Sequence, residues 1–117
     1  MKSVFILNDP PYGTERCYNA LRLAGALMKK DAEAGVTVFV MAYAVIGAKA
    51  NQKTPEGYYN IERMLKRVLA GKGDVLLCGT CMDARGVDDA ALMAGARRST
   101  MDELATETVE ADKVLVF

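Results

Sequence analysis

Histidine is absent from this chain of 117 residues. Its absence excludes a Ser-His-Asp triad, a Cys-His dyad and every histidine ligand to a metal. Any chemistry that the protein performs must therefore proceed without an imidazole as general base.

Long apolar runs and an excess of one charge are also missing. No stretch approaches the roughly 20 apolar residues that span a bilayer, and the apolar start at residues 3–7 is too short for a signal peptide. Fifteen basic residues balance fifteen acidic ones, without a basic run. We therefore expect a cytoplasmic protein whose direct partners include neither a membrane nor a nucleic acid.

Cysteine is scarce, because the chain has only three, an odd number. Without an export signal, free or catalytic thiols are a better interpretation than a disulfide framework. Three cysteines without histidine cannot supply the four ligands of a structural zinc site unless a carboxylate joins them. We expect no metal. We expect no cofactor either, because the glycine patterns of nucleotide-binding loops are missing.

The apolar pattern predicts strands that alternate with helices. Continuous apolar runs rich in β-branched residues predict strands at 3–7, 36–42, 74–78 and 113–117, with a short fourth strand at 96–99. Helical spacing predicts helices at 15–34 and 60–70, a weaker helical segment at 87–96 and a last helix that ends near Glu110. Residues 43–56 are expected to form a long loop with one helical turn. This order predicts a single α/β domain over residues 1–117 with a mainly parallel sheet.

Short polar signals mark the ends of the predicted helices. Thr14 is predicted to cap the start of the first helix, and Gly35 is predicted to lie at its end. Ser99 and Asp102 fit the spacing of a capping box loosely, ahead of the last helix.

The most reactive stretch is CGTCMDARG at residues 78–86, which follows the apolar run of the third predicted strand. Ligands of open α/β sheets bind at this end of the strands. The spacing of Cys78 and Cys81 occurs in redox centres and persulfide carriers, and a helix start there would lower the thiol pKa. Arg85 would add a positive charge if the loop curls back. The alternative is that Cys78 is a small buried residue that closes the strand, and the residues alone do not decide between the two.

A second loop, NDPPYG at residues 8–13, also joins a strand to a helix. Asn8 and Tyr12 are candidate binding residues in this loop, against the alternative that the prolines only shape a tight turn. Tyr12, Tyr58 and Tyr59 are of a type enriched in grooves and oligomer contacts. Cys17 lies on the apolar stripe of the first helix and is predicted to belong to the core.

Six stretches, which together extend along nearly the whole chain, carry a resemblance: NDPPYG (8–13), NALRLA (19–24), VFV (38–40), GYYN (57–60), LCGTCMDARG (77–86) and ADKVLVF (111–117). They resemble the DsrE/DsrF-like family, which is related to sulfur-relay subunits of tRNA thiolation and dissimilatory sulfur oxidation. In its sulfur-carrying members a cysteine ends the third strand and an Arg-Gly pair follows, and Cys78 with Arg85-Gly86 fits that pattern. Tyr43 departs from it, because many relatives have an acidic residue there.

The resemblance implies a three-layer α/β/α sandwich with a five-stranded parallel sheet, assembled into trimers or hexamers. It also implies a sulfur carrier or sulfurtransferase, in which Cys78 accepts sulfane sulfur as a persulfide from a donor protein and passes it to an acceptor. Cys81 would resolve the persulfide or tune Cys78. The backbone of Gly79 and Thr80, with Arg85, would stabilise the anionic sulfur.

Two other functions stay open at this point. The first is a thiol–disulfide or redox-sensing protein that uses the Cys78–Cys81 pair. The second is a non-catalytic oligomeric module that binds a small ligand or a partner, in which both cysteines are dispensable.

Overall fold

A computed structural model describes residues 1–56 and 59–117. Its five strands are β1 (Lys2–Leu7), β2 (Gly35–Val40), β3 (Asp74–Cys78), β4 (Arg97–Ser99) and β5 (Lys113–Val116). Its four α-helices are α1 (Arg16–Lys30), α2 (Ile61–Ala70), α3 (Gly79–Ala84) and α4 (Met101–Glu110). Two 3₁₀ helices, Ala42–Ala48 and Asp89–Ala91, lie in the connections.

The strands form one sheet in the order β4-β3-β2-β1-β5, and every neighbouring pair is parallel. Leu7, Val40 and Leu77 are aligned across the three central strands. The loops that follow these strands therefore leave the sheet at the same edge. The predicted α/β fold with a five-stranded sheet is confirmed, and the sheet is wholly parallel.

Both faces of the sheet are covered, as a parallel sheet requires. Alternate residues of β1, Phe5 and Leu7, face a core built with α1 and α2. Val4 faces the opposite side, in a smaller cluster that includes Cys78 and Leu104 of α4. The fold is thus the three-layer sandwich that the family resemblance implied. None of the helices in the described part of the chain has the length and hydropathy to cross a bilayer.

Both ends of α1 differ from their predicted positions. Helix α1 stops at Lys30, and Gly35 is the first residue of β2, not the end of a helix. Thr14 is not the N-cap residue of α1, which is Glu15, although its hydroxyl accepts a hydrogen bond from the Arg16 backbone at 3.2 Å.

The cap of α4 lies one residue further along than predicted. Thr100, not Ser99, is the N-cap residue, and its hydroxyl accepts a hydrogen bond from the Glu103 backbone. Ser99 instead donates its hydroxyl to the Glu103 carboxylate. The predicted Ser99–Asp102 capping box is therefore wrong. A loose spacing rule could not distinguish Ser99 from Thr100, because the hydroxyl of either residue type can cap a helix.

The predicted helical segment at residues 87–96 is also wrong. Only Asp89–Ala91 is helical, and Ala94 and Gly95 form a turn ahead of β4. Leu92 forms an antiparallel bridge with Lys49, and the Met93 backbone donates to the Ala48 carbonyl at 2.9 Å. The backbone of this segment therefore bonds partly to the distant 3₁₀ helix instead of continuing as a helix, which its local spacing could not indicate.

A candidate thiol site at the carboxyl edge of the sheet

Cys78 is the last residue of β3 and also the N-cap residue of α3. Its side chain points to the α4 side of the sheet and is buried, with 6% of the residue exposed. An N-cap side chain lies beside backbone N–H groups that have no partner inside the helix. The fold therefore brings a sulfur atom to a set of unpaired donors.

The Cys78 sulfur lies beside hydrogen-bonding groups at the start of α3. The Thr80 hydroxyl lies 3.2 Å from it. Hydrogen bonding to this hydroxyl, to the Cys81 thiol and to the backbone N–H groups of Thr80 and Cys81 lowers the pKa of the Cys78 thiol. Burial raises the pKa of the Cys78 thiol, but these hydrogen bonds together outweigh burial, so the pKa lies below its ordinary value. The site thus favours a thiolate without help from a histidine.

The pKa of the Cys81 thiol shifts in the opposite direction. Burial, its hydrogen bond to Cys78 and the charge of Cys78 raise the pKa of the Cys81 thiol, against the Ala42 backbone N–H and the charge of Arg85, which lower it. Cys81 is half-buried, and is therefore the more accessible of the two. The two shifts are opposite, so Cys78 ionises before Cys81, and the Cys81 thiol then donates a hydrogen bond to the Cys78 thiolate.

The structure places Arg85 beside Cys81. Its Nη1 donates to the Cys81 carbonyl at 3.1 Å, and its guanidinium lies 4.2 Å from the centre of the Tyr43 ring. Tyr43, which departs from the family pattern, thus supplies an aromatic face to a cation. The Arg85 Nε is buried and has no hydrogen-bond partner among the described residues. The Arg85 cation is therefore held at the site with one donor unused.

Two residues of the site were missed from the sequence. Ala42 has a φ of 50°, a left-handed conformation that costs about 1 to 2 kcal/mol for a residue with a side chain. Hydrogen bonding to its backbone N–H lowers the pKa of the Cys81 thiol. Arg98 donates to the Gly79 carbonyl at 3.0 Å and pairs with Asp83 at 3.0 Å. Nothing in the local sequence marks either residue, because both act across separate elements.

Gly79 has a steric role at the start of α3. A Cβ at this position would lie 3.0 Å from Nη1 of Arg98 and 3.1 Å from its Cγ. The glycine therefore lets the Arg98 side chain pack against the helix start, where Arg98 also reaches Asp89 at 2.8 Å. This contact holds the start of α3, next to both cysteines.

The predicted binding residues of the 8–13 loop make other contacts. The Asn8 backbone donates to the Phe117 carbonyl at 2.8 Å. The Tyr12 hydroxyl donates to Gln52 and accepts from the Ile61 backbone at 3.1 Å, which fastens the long loop to α2. No hydrogen bond among the described residues joins Asn8 or Tyr12 to the cysteines, and their binding role stays a prediction. Tyr58, a predicted contact residue, lies outside the described residues.

Residues 1–56 and 59–117 contain no group of three or more Cys, Asp or Glu side chains placed to hold a metal ion. The fold and the site define the chain as a parallel α/β protein with a pair of free cysteines, whose thiol pKa values shift in opposite directions, at the carboxyl edge of its sheet. The sequence profile of the DsrE/DsrF-like family matches residues 1–117. The chain belongs to that family.

Several proteins resemble it over their whole length. Protein YchN of Escherichia coli is 42% identical over 116 residues, which cover 99% of this chain and 98% of YchN. The uncharacterized protein MJ0989 of Methanocaldococcus jannaschii is 35% identical over 117 residues, all of both chains.

Solved structures agree with the fold. The crystal structure of YchN from E. coli matches with a TM-score of 0.95 and covers 100% of this chain and 99% of that one. The structure of MTH1491 from Methanobacterium thermoautotrophicum, a protein of unknown function, matches with a TM-score of 0.81 over 99% of this chain and 98% of that one. At 13% identity the second match bears on the fold alone.

Proposed function

We propose that this protein accepts sulfane sulfur as a persulfide on Cys78 and passes it on in a cytoplasmic sulfur relay. Sulfur relay is a role found at the level of the DsrE/DsrF-like family. The observation that carries the proposal is the position of Cys78 as the N-cap residue of α3, where the Thr80 hydroxyl lies 3.2 Å from its sulfur and hydrogen bonding lowers the pKa of the thiol.

The loading step needs only a thiolate and a donor with a sulfane sulfur. The Cys78 thiolate attacks the outer sulfur of a donor persulfide, R–S–SH. A bond forms between Sγ and that sulfur while the donor's S–S bond breaks, and the electron pair of the broken bond leaves with the donor as R–S⁻. Cys78 is oxidised and the donor is reduced to its thiol, so no further oxidant is required. The persulfide proton is lost to solvent, which leaves the anion Cys78–S–S⁻.

The surroundings of Cys78 suit that anion. Thr80 and the backbone at the start of α3 already donate to the sulfur. Arg85 adds a cation beside Cys81. We propose that Gly79, Thr80 and Arg85 together hold the outer sulfur, as fixed donors and a cation hold other anions.

Cys81 gives the persulfide a second outcome. The Cys81 proton passes to the outer sulfur of the persulfide, and the Cys81 sulfur attacks Sγ of Cys78. The Cys78–Cys81 disulfide forms while the S–S bond of the persulfide breaks, and the outer sulfur leaves with its electron pair and the proton as HS⁻. Because the pKa of Cys81 is raised, this discharge is slow at neutral pH. The persulfide therefore persists long enough to meet an acceptor thiol.

Intact-mass spectrometry tests the proposal. The reduced protein is incubated with inorganic polysulfide, and a single addition of about 32 Da is expected on the wild type. Cys78→Ser should lose the addition, whereas Cys17→Ser, a matched control for a buried thiol, should keep it. Cys81→Ser should retain the added sulfur longer than the wild type. Equal addition to Cys78→Ser and the wild type would contradict the proposal.

A second candidate function is thiol–disulfide exchange by the same pair. The opposite pKa shifts of Cys78 and Cys81 favour it, since one thiolate and one thiol are the groups that such exchange requires. Equilibration with glutathione buffers would measure the reduction potential. A potential outside about −320 to −220 mV, the range of cytosolic glutathione, would argue against this function.

We further propose that the protein is a homo-oligomer, a trimer or a hexamer. Proteins of this family can form oligomers. Val114 and Val116 of the edge strand β5 lie on the same sheet face as Val4 and Ile6, and Val116 is 65% exposed. Val109, near the end of α4, is 86% exposed. An apolar edge strand of this kind is a surface that a second copy can cover.

Native mass spectrometry measures the assembly. Val116→Glu should shift it to smaller species, while Leu23→Glu, a comparable change on the exposed side of α1, should not. An assembly that is unchanged by Val116→Glu would place the interface elsewhere.

A further inference from the structure

A groove runs between α1 and α2 on the sheet face opposite α4. It consists of two adjoining depressions of about 740 Å³ and 240 Å³ that share Arg22, Met64 and Arg67. Buried Leu21 and Val68 lie beneath the larger depression. We call this surface the α1–α2 groove. It is separate from Cys78, whose side chain faces α4.

The α1–α2 groove is cationic. Arg22, Lys29, Arg63 and Arg67 line it, and no Asp or Glu does. Seven ion pairs occur among the described residues, and none of them includes these four cations. Four unpaired cations above an apolar floor form a surface complementary to carboxylates and apolar side chains together.

The Arg22 cation, at one end of the groove, is held in place. The Arg22 guanidinium lies 5.5 Å from the centre of the Tyr18 ring and donates to the Asn19 side chain at 3.2 Å. The Tyr18 and Tyr59 rings contact each other, with centroids 4.5 Å apart. Because Arg22 and Tyr59 both lie against Tyr18, this ring is already engaged and is a poor platform for a nucleic-acid base.

Gly25 leaves the middle of the groove open. It lies inside α1, and a Cβ built there would meet no heavy atom within 4 Å. Glycine in a helix interior costs about 1 kcal/mol relative to alanine, and no intramolecular packing at this position requires it. A missing side chain in the groove instead allows the backbone of another element to approach α1 closely.

We propose that the α1–α2 groove docks an acidic amphipathic helix of a partner protein. From Tyr18 to Lys29 the groove extends along α1 for about 16 Å, at 1.5 Å per residue, which accommodates about three turns of a helix. Carboxylates of the partner would meet the arginines, and its apolar side chains would cover the floor. The groove of one copy cannot pair with the same groove of another, because such an isologous contact would bring like charges together.

The test uses a defined probe. The probe is a peptide of about 16 residues that carries Glu on one helical face, Leu on the opposite face and a single Trp. The fluorescence of this Trp is followed as the protein is added. The protein has no tryptophan, so only the peptide is observed. The wild type should bind this peptide at least about tenfold more tightly than the same peptide with Lys in place of Glu.

Variants locate the binding. Arg67→Glu should weaken it about tenfold or more, whereas Lys49→Glu, a charge reversal outside the groove, should leave it unchanged. Gly25→Leu should weaken it by filling the groove, and Gly25→Ala much less. Thermal melting of both Gly25 variants checks that they fold.

Three results would overturn the proposal. The first is binding of the peptide that is absent or insensitive to Arg67→Glu. The second is tighter binding of a labelled single-stranded oligonucleotide at the same arginines, which would make the partner a nucleic acid. The third is a smaller assembly for Gly25→Leu in native mass spectrometry, which would make the occupant a second copy.

Discussion

Cys17 and Cys78 are both buried, with 1% and 6% exposed, and both lie at the start of a helix near the carboxyl edge of the sheet. Their thiols nevertheless differ in acidity. Burial and the nearby Asp9 charge raise the pKa of Cys17 to about 11. The pKa of Cys78 is lowered, because its hydrogen-bond donors outweigh burial. Burial raises the pKa of both thiols, and only at Cys78 do hydrogen bonds to the sulfur reverse its effect.

Position within the helix accounts for the lowered pKa of Cys78. Cys78 is the N-cap residue of α3, and its side chain accepts from the free N–H groups of the next residues. Cys17 is the second residue of α1, and its thiol donates to the Asp9 carbonyl at 3.2 Å. A thiol that acts as a donor keeps its proton, and a sulfur that accepts loses it more readily.

The largest expected effect concerns stability at high pH. Since the folded pKa of Cys17 is about 11 against an ordinary 9.0, the stability from its protonated thiol is complete below pH 9. That stability is lost as pH rises through 11, and the loss amounts to about 2 to 3 kcal/mol of unfolding free energy.

Urea unfolding of the wild type and Cys17→Ala, at about pH 8 and pH 11, measures this loss. The wild type should lose more stability than the variant over that interval. Parallel losses in the two proteins would mean that the Cys17 thiol is not held in its protonated form.

A smaller effect is expected when one donor to Cys78 is removed. Thr80→Val deletes the hydroxyl that lies 3.2 Å from Sγ. The rate of Cys78 alkylation by iodoacetamide at pH 7 should fall about tenfold or more, as expected for the loss of one hydrogen bond to a charged group. Thr106→Val, whose hydroxyl bonds to the Asp102 carbonyl on α4, is the control. An unchanged rate for Thr80→Val would show that the Thr80 hydroxyl does not stabilise the Cys78 thiolate.

The smallest effect is expected at Cys17. Asp9→Asn removes the charge that adds to burial in raising the pKa of the Cys17 thiol. Because burial is the larger cause, alkylation of Cys17 should accelerate only about twofold to threefold. Asp31→Asn, beyond the other end of α1, should change nothing. If Asp9→Asn made Cys17 as reactive as Cys78, the Asp9 charge would be the larger cause of the raised Cys17 pKa, and burial the smaller one.

The sequence was sufficient for the strands of the sheet. Strands buried on both faces appear as continuous apolar runs, and the 74–78 strand was predicted with the same ends that β3 has. The position of the thiol pair followed, because the residues after a parallel strand lie at the carboxyl edge of the sheet. The prediction that Cys17 belongs to the core is also confirmed.

The remaining parts of the site depend on contacts between distant segments. Ala42 reaches Cys81 through a left-handed conformation that no alanine signals, and Arg98 reaches Gly79 from another strand. The protonation of the pair was equally hidden, since the C-x-x-C spacing is the same whichever sulfur carries the proton. Gly35 was misplaced because glycine suits a strand start as well as a helix end.

Site-resolved alkylation of the wild type tests the central comparison most directly. The native protein is treated with iodoacetamide between about pH 6 and pH 11, and each cysteine is followed by peptide mass spectrometry. At pH 7, Cys78 should react at least about 100-fold faster than Cys17, as the difference in thiolate fraction requires. Similar rates for the two thiols, or a faster Cys17, would contradict the role of Cys78 as the thiolate of the site.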